Sequence, residues 1–173
     1  EEDGFRIAIL NYTYGTNGVP LPEGMPYAVE LLDKEKVAAD LKEAEEKADF
    51  VVVCPHWGTE YRLEQTGEQE SWAAFFAENG ADLVIGTHPH VVEPVEWITA
   101  ENGNESLCYY SLGNYVSTQK NALSMLEGMA WLTFHVAEDG VSIERKTTGV
   151  IPLVCQYTSG PVRFENVYLL EEY

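Results

Sequence analysis

Two short apolar runs, separated by a segment of helical length, restrict this chain more than any other feature. The first is "DFVVVCPHWG" (49–58), the second "ADLVIGTHPH" (81–90), and between them lies "EQESWAAFFAENG" (68–80). Short runs of branched aliphatic residues bounded by Gly and Pro read as strands buried on both faces. The segment between them stops at Asn79 and Gly80, residue types that close a helix. Strand, helix and strand of this size form a parallel crossover. Upstream, "FRIAILNYTY" (5–14) reads as a further strand and "GTNGVPLPEGMP" as a long loop. Asp33 has the character of an N-cap, followed by Val37, Leu41, Ala44 and Ala48 at helical spacing with Glu/Lys pairs outside. The alternation predicts an α/β fold with a parallel sheet flanked by helices.

After residue 105 the pattern changes. "SLCYYSLGNYV" (106–116) reads as a strand running into a Gly-Asn turn. "GMAWLTFHVAEDGVSIERKTTGV" (128–150) alternates apolar and polar residues around Asp139-Gly140, a hairpin signal. The tail "PVRFENVYLLEEY" is β-like in part but has no clear place. With no internal repeat and no low-complexity linker, residues 1–173 read as a single domain, parallel in its first half and antiparallel in its second: a layered sandwich.

Charge removes several functional classes. Twenty-nine acidic residues against 10 basic give a net charge of −19, which repels phosphate backbones and argues against nucleic acid as a partner. It also disfavours docking on anionic lipid through a basic patch. No apolar run reaches the roughly eighteen residues of a membrane span. The opening "EEDGFRIAIL" has neither an initiator Met nor the layout of a signal peptide, as expected of an excised segment or of a mature chain. Cys54, Cys108 and Cys155 are odd in number and far apart, so the chain is not a disulfide scaffold. Cys54 and Cys108 lie in apolar runs and read as small hydrophobes.

The crossover also decides where the histidines go. Parallel strands joined by one helix end on the same edge of the sheet, and open α/β sheets bind ligands outside those carboxyl ends. His56 follows one strand, and His88 and His90 follow the other, so three of the four histidines converge. Neutral imidazoles ligate Zn, Mn, Fe or Ni; the competing reading is of loop or core histidines satisfied by hydrogen bonds. Pro89 is expected to hold His88 extended so that both imidazoles of H-x-H point one way. Gly86 is expected to leave room for the backbone near a ligand.

The stretches "VVVCPHWGTEY", "GADLVIGTHPHVVEPVEW" and "YYSLGNYV", with "LNYTYGTNG" before them, resemble the later motifs of CapA-type poly-γ-glutamate capsule biosynthesis proteins. That group belongs to the calcineurin-like metallophosphoesterase superfamily, and the resemblance runs through most of residues 5–117. It implies an α/β/β/α sandwich, with His56, His88 and His90 as metal ligands in a site for two divalent ions (Mn, Zn or Fe). Glu60 and Asn114 lie in family-typical positions. Glu60 then acts as a general acid or an orienting group, His56 or a neighbour protonates the leaving group or steadies the transition state, and Asn114 contacts substrate or supports a ligand.

The superfamily's earlier motifs, an Asp-x-His, a Gly-Asp and a Gly-Asn-His, do not occur upstream of His56. The chain therefore resembles the C-terminal part of such a domain, an incomplete fold whose partner is the N-terminal half of the same protein. A bridging carboxylate holds two cations about 3.5–4 Å apart; without it three histidines hold at most a partial site. The expected parent is a metal-dependent phosphoesterase-like enzyme of envelope polymer metabolism, extracellular or membrane-anchored at the bacterial surface, with this segment inactive alone. Two alternatives stand beside it: a non-catalytic assembly or polymer-handling subunit of the synthesis machinery, and a self-contained three-histidine Zn hydrolase. A truncated sheet leaves an edge strand bare, which invites a homodimer.

Overall fold

The parallel crossover organises the molecule. The computed structural model describes residues 4–119, 121–137, 140–158 and 163–172. Strand β1 (Ile7–Thr13), helix α1 (Lys34–Lys47), strand β2 (Phe50–His56), helix α2 (Gly67–Glu78) and strand β3 (Leu83–Ile85) follow one another as the alternation predicts. Strands β4 (Val95–Thr99) and β5 (Glu105–Tyr109) complete a five-stranded sheet in the order β1-β2-β3-β5-β4. Strands β1, β2, β3 and β5 are parallel, with Ile9 opposite Val52, Val53 opposite Val84 and Val84 opposite Cys108. Strand β4 runs antiparallel to β5.

Both helices start where their side chains can satisfy free amides. Asp33 accepts from Lys36 N at 2.9 Å. Thr66 and Gln69 form a reciprocal capping box at the start of α2. At the far end Asn79 Nδ2 donates to Phe75 O at 2.8 Å, and Gly80 turns the chain with a φ of +90°.

The pleat of β2 sorts its side chains into two cores. Val51 and Val53 face the helices, packed with Val37, Leu41, Ala73 and Phe76. Phe50 and Val52 face the other way, with Leu83, Leu107 and Tyr109, and meet Phe134, Val141 and Ile143 of the second half. All three cysteines are free thiols, and Cys108 is fully buried in the helical-face core as a small apolar side chain.

The second half is antiparallel. Strands β6 (Leu126–Trp131), β9 (Gly149–Thr158) and β10 (Arg163–Leu169) form one sheet in the order β10-β9-β6. Strands β7 (Phe134–Ala137) and β8 (Gly140–Ile143) form a separate ribbon, and Asp139 of the expected hairpin turn lies outside the described residues. The ribbon is pinned to the larger sheet by Phe134 edge-on to Phe50 at 5.0 Å. Arg145, stacked 4.0 Å over Trp97 and 2.5 Å from Glu105, adds a second clasp.

The fold is thus a metallophosphoesterase-like α/β arrangement: helices, a mainly parallel sheet, then antiparallel strands. A helical layer beyond those antiparallel strands is not found among the described residues. Strand β4 escapes the sequence pattern because it is an edge strand with half-exposed residues and no apolar run. The strand expected to lead into a Gly-Asn turn within 106–116 spans Glu105–Tyr109, and the turn follows at Gly113, whose φ is +75°. The tail after residue 162 finds its place as β10 beside β9.

Candidate metal centre at the strand edge

His56 is the last residue of β2, and Thr87 pairs beside it just past β3. Thr87 N donates to Pro55 O at 3.0 Å, and Trp57 N donates to Thr87 O at 3.1 Å, so the two strand ends are zipped together. Gly86 lies at the seam. A Cβ there would stand 2.0 Å from Tyr110 O and 2.4 Å from Trp57 Nε1. The glycine therefore makes room for the core, not for a ligand: it lets Trp57 Nε1 donate to Tyr110 O at 2.9 Å.

The turn through the histidines also differs from expectation. His88 is not extended; its φ is +105°, and that of His90 is +61°. Both lie in the left-handed region that non-glycine residues rarely adopt, and such positions cost about 1–3 kcal/mol each. The preference imposed by Pro89 is overridden because Tyr61 N donates to Pro89 O at 2.7 Å, tying this turn to the loop after β2.

Geometry regroups the sequence candidates. Ligand atoms of Glu60, His88 and His90 all lie within 4.8 Å of one another, and His90 Nε2 is 3.7 Å from Glu60 Oε1. His56 stands beside this group, its ring centroid 4.7 Å from that of His88 and its Nδ1 3.3 Å from Thr87 Oγ1. The carboxylate read as an acid or orienting group thus joins two histidines, and the third histidine flanks them. Two imidazoles and a carboxylate are a donor set that suits Zn, Mn or Fe. Burial lowers the pKa of His56, helped by the neighbouring His88 and His90. Burial also lowers that of His88, against the opposing pull of Glu60 and with a smaller push from His90. Both rings are therefore biased to the neutral form that offers a lone pair.

Asn114 lies directly against the group, its Oδ1 2.8 Å from His90 Nδ1. Three contributors escape the motif reading. Tyr14 stacks near His56 and His88, with centroids at 6.0 and 4.9 Å. Tyr61 stacks on His90 at 5.8 Å, and Gln119 Nε2 donates to Tyr61 Oη at 3.1 Å. The tyrosines sit inside the quoted motifs "NYTYG" and "HWGTEY", but a tyrosine in a loop carries no spacing signal. Gln119 has none at all.

Beside the site, Trp57, Gly58, Gln69 and Trp72 line a hollow of about 120 Å³ that reaches Tyr14. A larger one, about 510 Å³, lies between β1 and α1 and contains no histidine. Its charges pair among themselves, as Lys36 with Asp40 and Glu30.

A mainly parallel sheet followed by antiparallel strands fits the metallophosphoesterase-like fold class. The family model described as "Bacterial capsule synthesis protein PGA_cap" matches residues 1–119, and the chain belongs to this family. Among curated proteins, the PGA biosynthesis protein CapA of Bacillus subtilis (strain 168) is 33% identical over 139 residues, covering 80% of this chain and 34% of that protein. The capsule biosynthesis protein CapA of Bacillus anthracis is 30% identical over 160 residues, 89% of this chain and 36% of that protein. The chain thus spans about a third of the length of these relatives.

Proposed function

We propose that this chain carries the histidine side of a divalent-metal site in a protein of capsule polymer synthesis at the bacterial cell envelope, extracellular or membrane-anchored. The observation that carries this reading is the convergence of Glu60, His88 and His90 ligand atoms within 4.8 Å. These three would hold one ion of Mn, Zn or Fe, which when bound polarises a phosphoryl or carbonyl oxygen and acidifies water. His56, adjacent and biased to the neutral form by burial, would ligate a second ion; to hand a proton to a leaving group it would first take one up. Carboxylates for a two-ion site would come from polypeptide beyond these residues, the N-terminal half of the same protein. In this reading the segment alone binds metal but does not turn over phosphoesters.

Family membership and the donor set support the reading together; fold alone does not establish phosphatase chemistry. The test is calorimetric titration of the segment with Zn²⁺ and Mn²⁺, beside the double variant His88→Ala, His90→Ala. Saturable binding that the double variant loses is the expected result, and equal binding by both refutes the assignment. The same variant in the longer protein separates the catalytic reading from a polymer-handling one. Retained polymer synthesis after loss of the metal would favour the second.

A further inference from the structure

We propose that Asn114 is a positioning residue that fixes the tautomer of His90, presenting Nε2 to the metal, and that Gln119 holds Asn114 in register for that task. The proposal rests on the metal reading above for its purpose, but its chemistry is decided by the hydrogen bonds alone. The orientation of the Asn114 amide is settled by what surrounds it. Its Nδ2 faces His90 O at 3.3 Å, Ser124 O at 3.3 Å and Gln119 Oε1 at 3.4 Å. Two of these are main-chain carbonyls, which only accept, so the NH₂ group belongs on that side. The carboxamide oxygen then points at His90 Nδ1, 2.8 Å away.

An amide oxygen has no proton to give, so Nδ1 must carry one. The neutral ring consequently keeps its lone pair on Nε2, the nitrogen 3.7 Å from Glu60 Oε1. A ligating histidine whose other nitrogen donates to a fixed acceptor is held in both tautomer and ring angle.

The support continues outward as a closed circuit. Gln119 accepts from Asn114 through Oε1 and donates through Nε2 to Tyr61 Oη at 3.1 Å. The ring of Tyr61 returns to stack on His90 at 5.8 Å and 27°. The Gln119 main-chain carbonyl is itself capped by the hydroxyl of Tyr157 on β9, and Ser124 O belongs to the turn before β6. The antiparallel half therefore braces the ligand from behind. The amide of Asn114 offers at once an acceptor for Nδ1–H and, on a separate atom, two donor hydrogens for the carbonyls.

The test reads the tautomer directly, by long-range ¹H–¹⁵N correlation of the imidazole nitrogens in ¹⁵N-labelled, metal-free protein. Wild-type His90 should be Nδ1-protonated and Nε2-bare. Asn114→Ala should lose that preference and weaken Zn²⁺ binding about 10–100-fold. Asn114→Asp keeps an acceptor for Nδ1–H and should retain the tautomer. Because the wild type is measured first, a variant that fails to fold does not remove the test. A wild-type His90 protonated on Nε2 overturns the proposal, as does an Asn114→Ala protein with unchanged tautomer and Zn²⁺ affinity. Absence of Zn²⁺ binding to the wild type would overturn the metal reading alone, and the tautomer would still decide the role of Asn114.

Discussion

The parallel and antiparallel halves of this chain treat a buried carboxylate differently. In the first half, Glu93 is 3% exposed and half-satisfied: its Oε2 accepts from Gln69 Nε2 at 2.7 Å, a residue that also caps α2, while its Oε1 meets no partner among the described residues. In the second, Glu127 on β6 is 2% exposed, and neither of its oxygens meets a hydrogen-bond partner among the described residues. The strands differ likewise: β2 is buried along most of its length, whereas β7 is exposed at three of four positions. The lesson is one of tolerance. Where strands are covered on both faces, helix caps, strand ends and loops share partners, and a change at one position has nowhere to go. The antiparallel half is looser and can absorb change, even though it braces the site through Ser124 and Tyr157.

The sharpest break of that comparison comes from two glycines. Gly86→Ala drives a Cβ onto the main-chain oxygen of Tyr110, and should cost about 3 kcal/mol or more in denaturant unfolding. Gly128→Ala on β6 meets side chains first, Val150 Cγ1 at 2.7 Å and Leu112 Cδ2 at 3.3 Å, with the nearest main-chain atom at 3.7 Å, and should cost about 1–2 kcal/mol. Equal losses would erase the distinction between the halves.

Glu127 gives the next largest effect. Burial pushes its carboxyl from 4.5 up to about 7. Between those values the folded protein keeps a proton that the unfolded chain has released, so stability should fall as pH rises through that window and then level off. Glu127→Gln should flatten this slope in unfolding curves and raise stability at pH 8 by about 1–2 kcal/mol. A slope unchanged by the substitution would show that Glu127 is not its source.

The left-handed turn offers a finer test. His88→Gly relieves a φ of +105°, and should raise stability by about 1 kcal/mol while Zn²⁺ affinity falls. A variant with weaker metal binding and no gain in stability would mean that the turn stores no strain. The smallest effect is at the clasp between halves. Arg145→Ala removes the stack on Trp97 and the pair with Glu105, half-exposed contacts worth about 0.5–1 kcal/mol. Thermal unfolding at low and high salt should show the ion-pair share fading with screening.

Much of this was legible in the residues. The crossover followed from apolar runs and a capped helix, because burial on both faces writes itself as unbroken hydrophobicity. Convergence of His56, His88 and His90 then followed from topology. What stayed hidden was set by contacts distant in sequence. Strand β4 lacks an apolar run because an edge needs none, and the turn at Pro89 obeys a hydrogen bond from Tyr61 instead of its local preference. Glu60 stands out only through the family resemblance, and its place beside His90 needs the fold. Gln119 is invisible for the same reason: the two partners of its side chain, Asn114 and Tyr61, come from different loops.

The bond from Tyr61 N to Pro89 O makes one amide a gauge of the whole edge. It joins the segment bearing Glu60 to the segment bearing His88 and His90, so its proton meets solvent only when those segments part. The rate at which that amide takes up deuterium therefore counts openings of the site, independently of any metal or substrate. Added Zn²⁺ that bridges the two segments would slow the count by the same factor in which it favours the closed form.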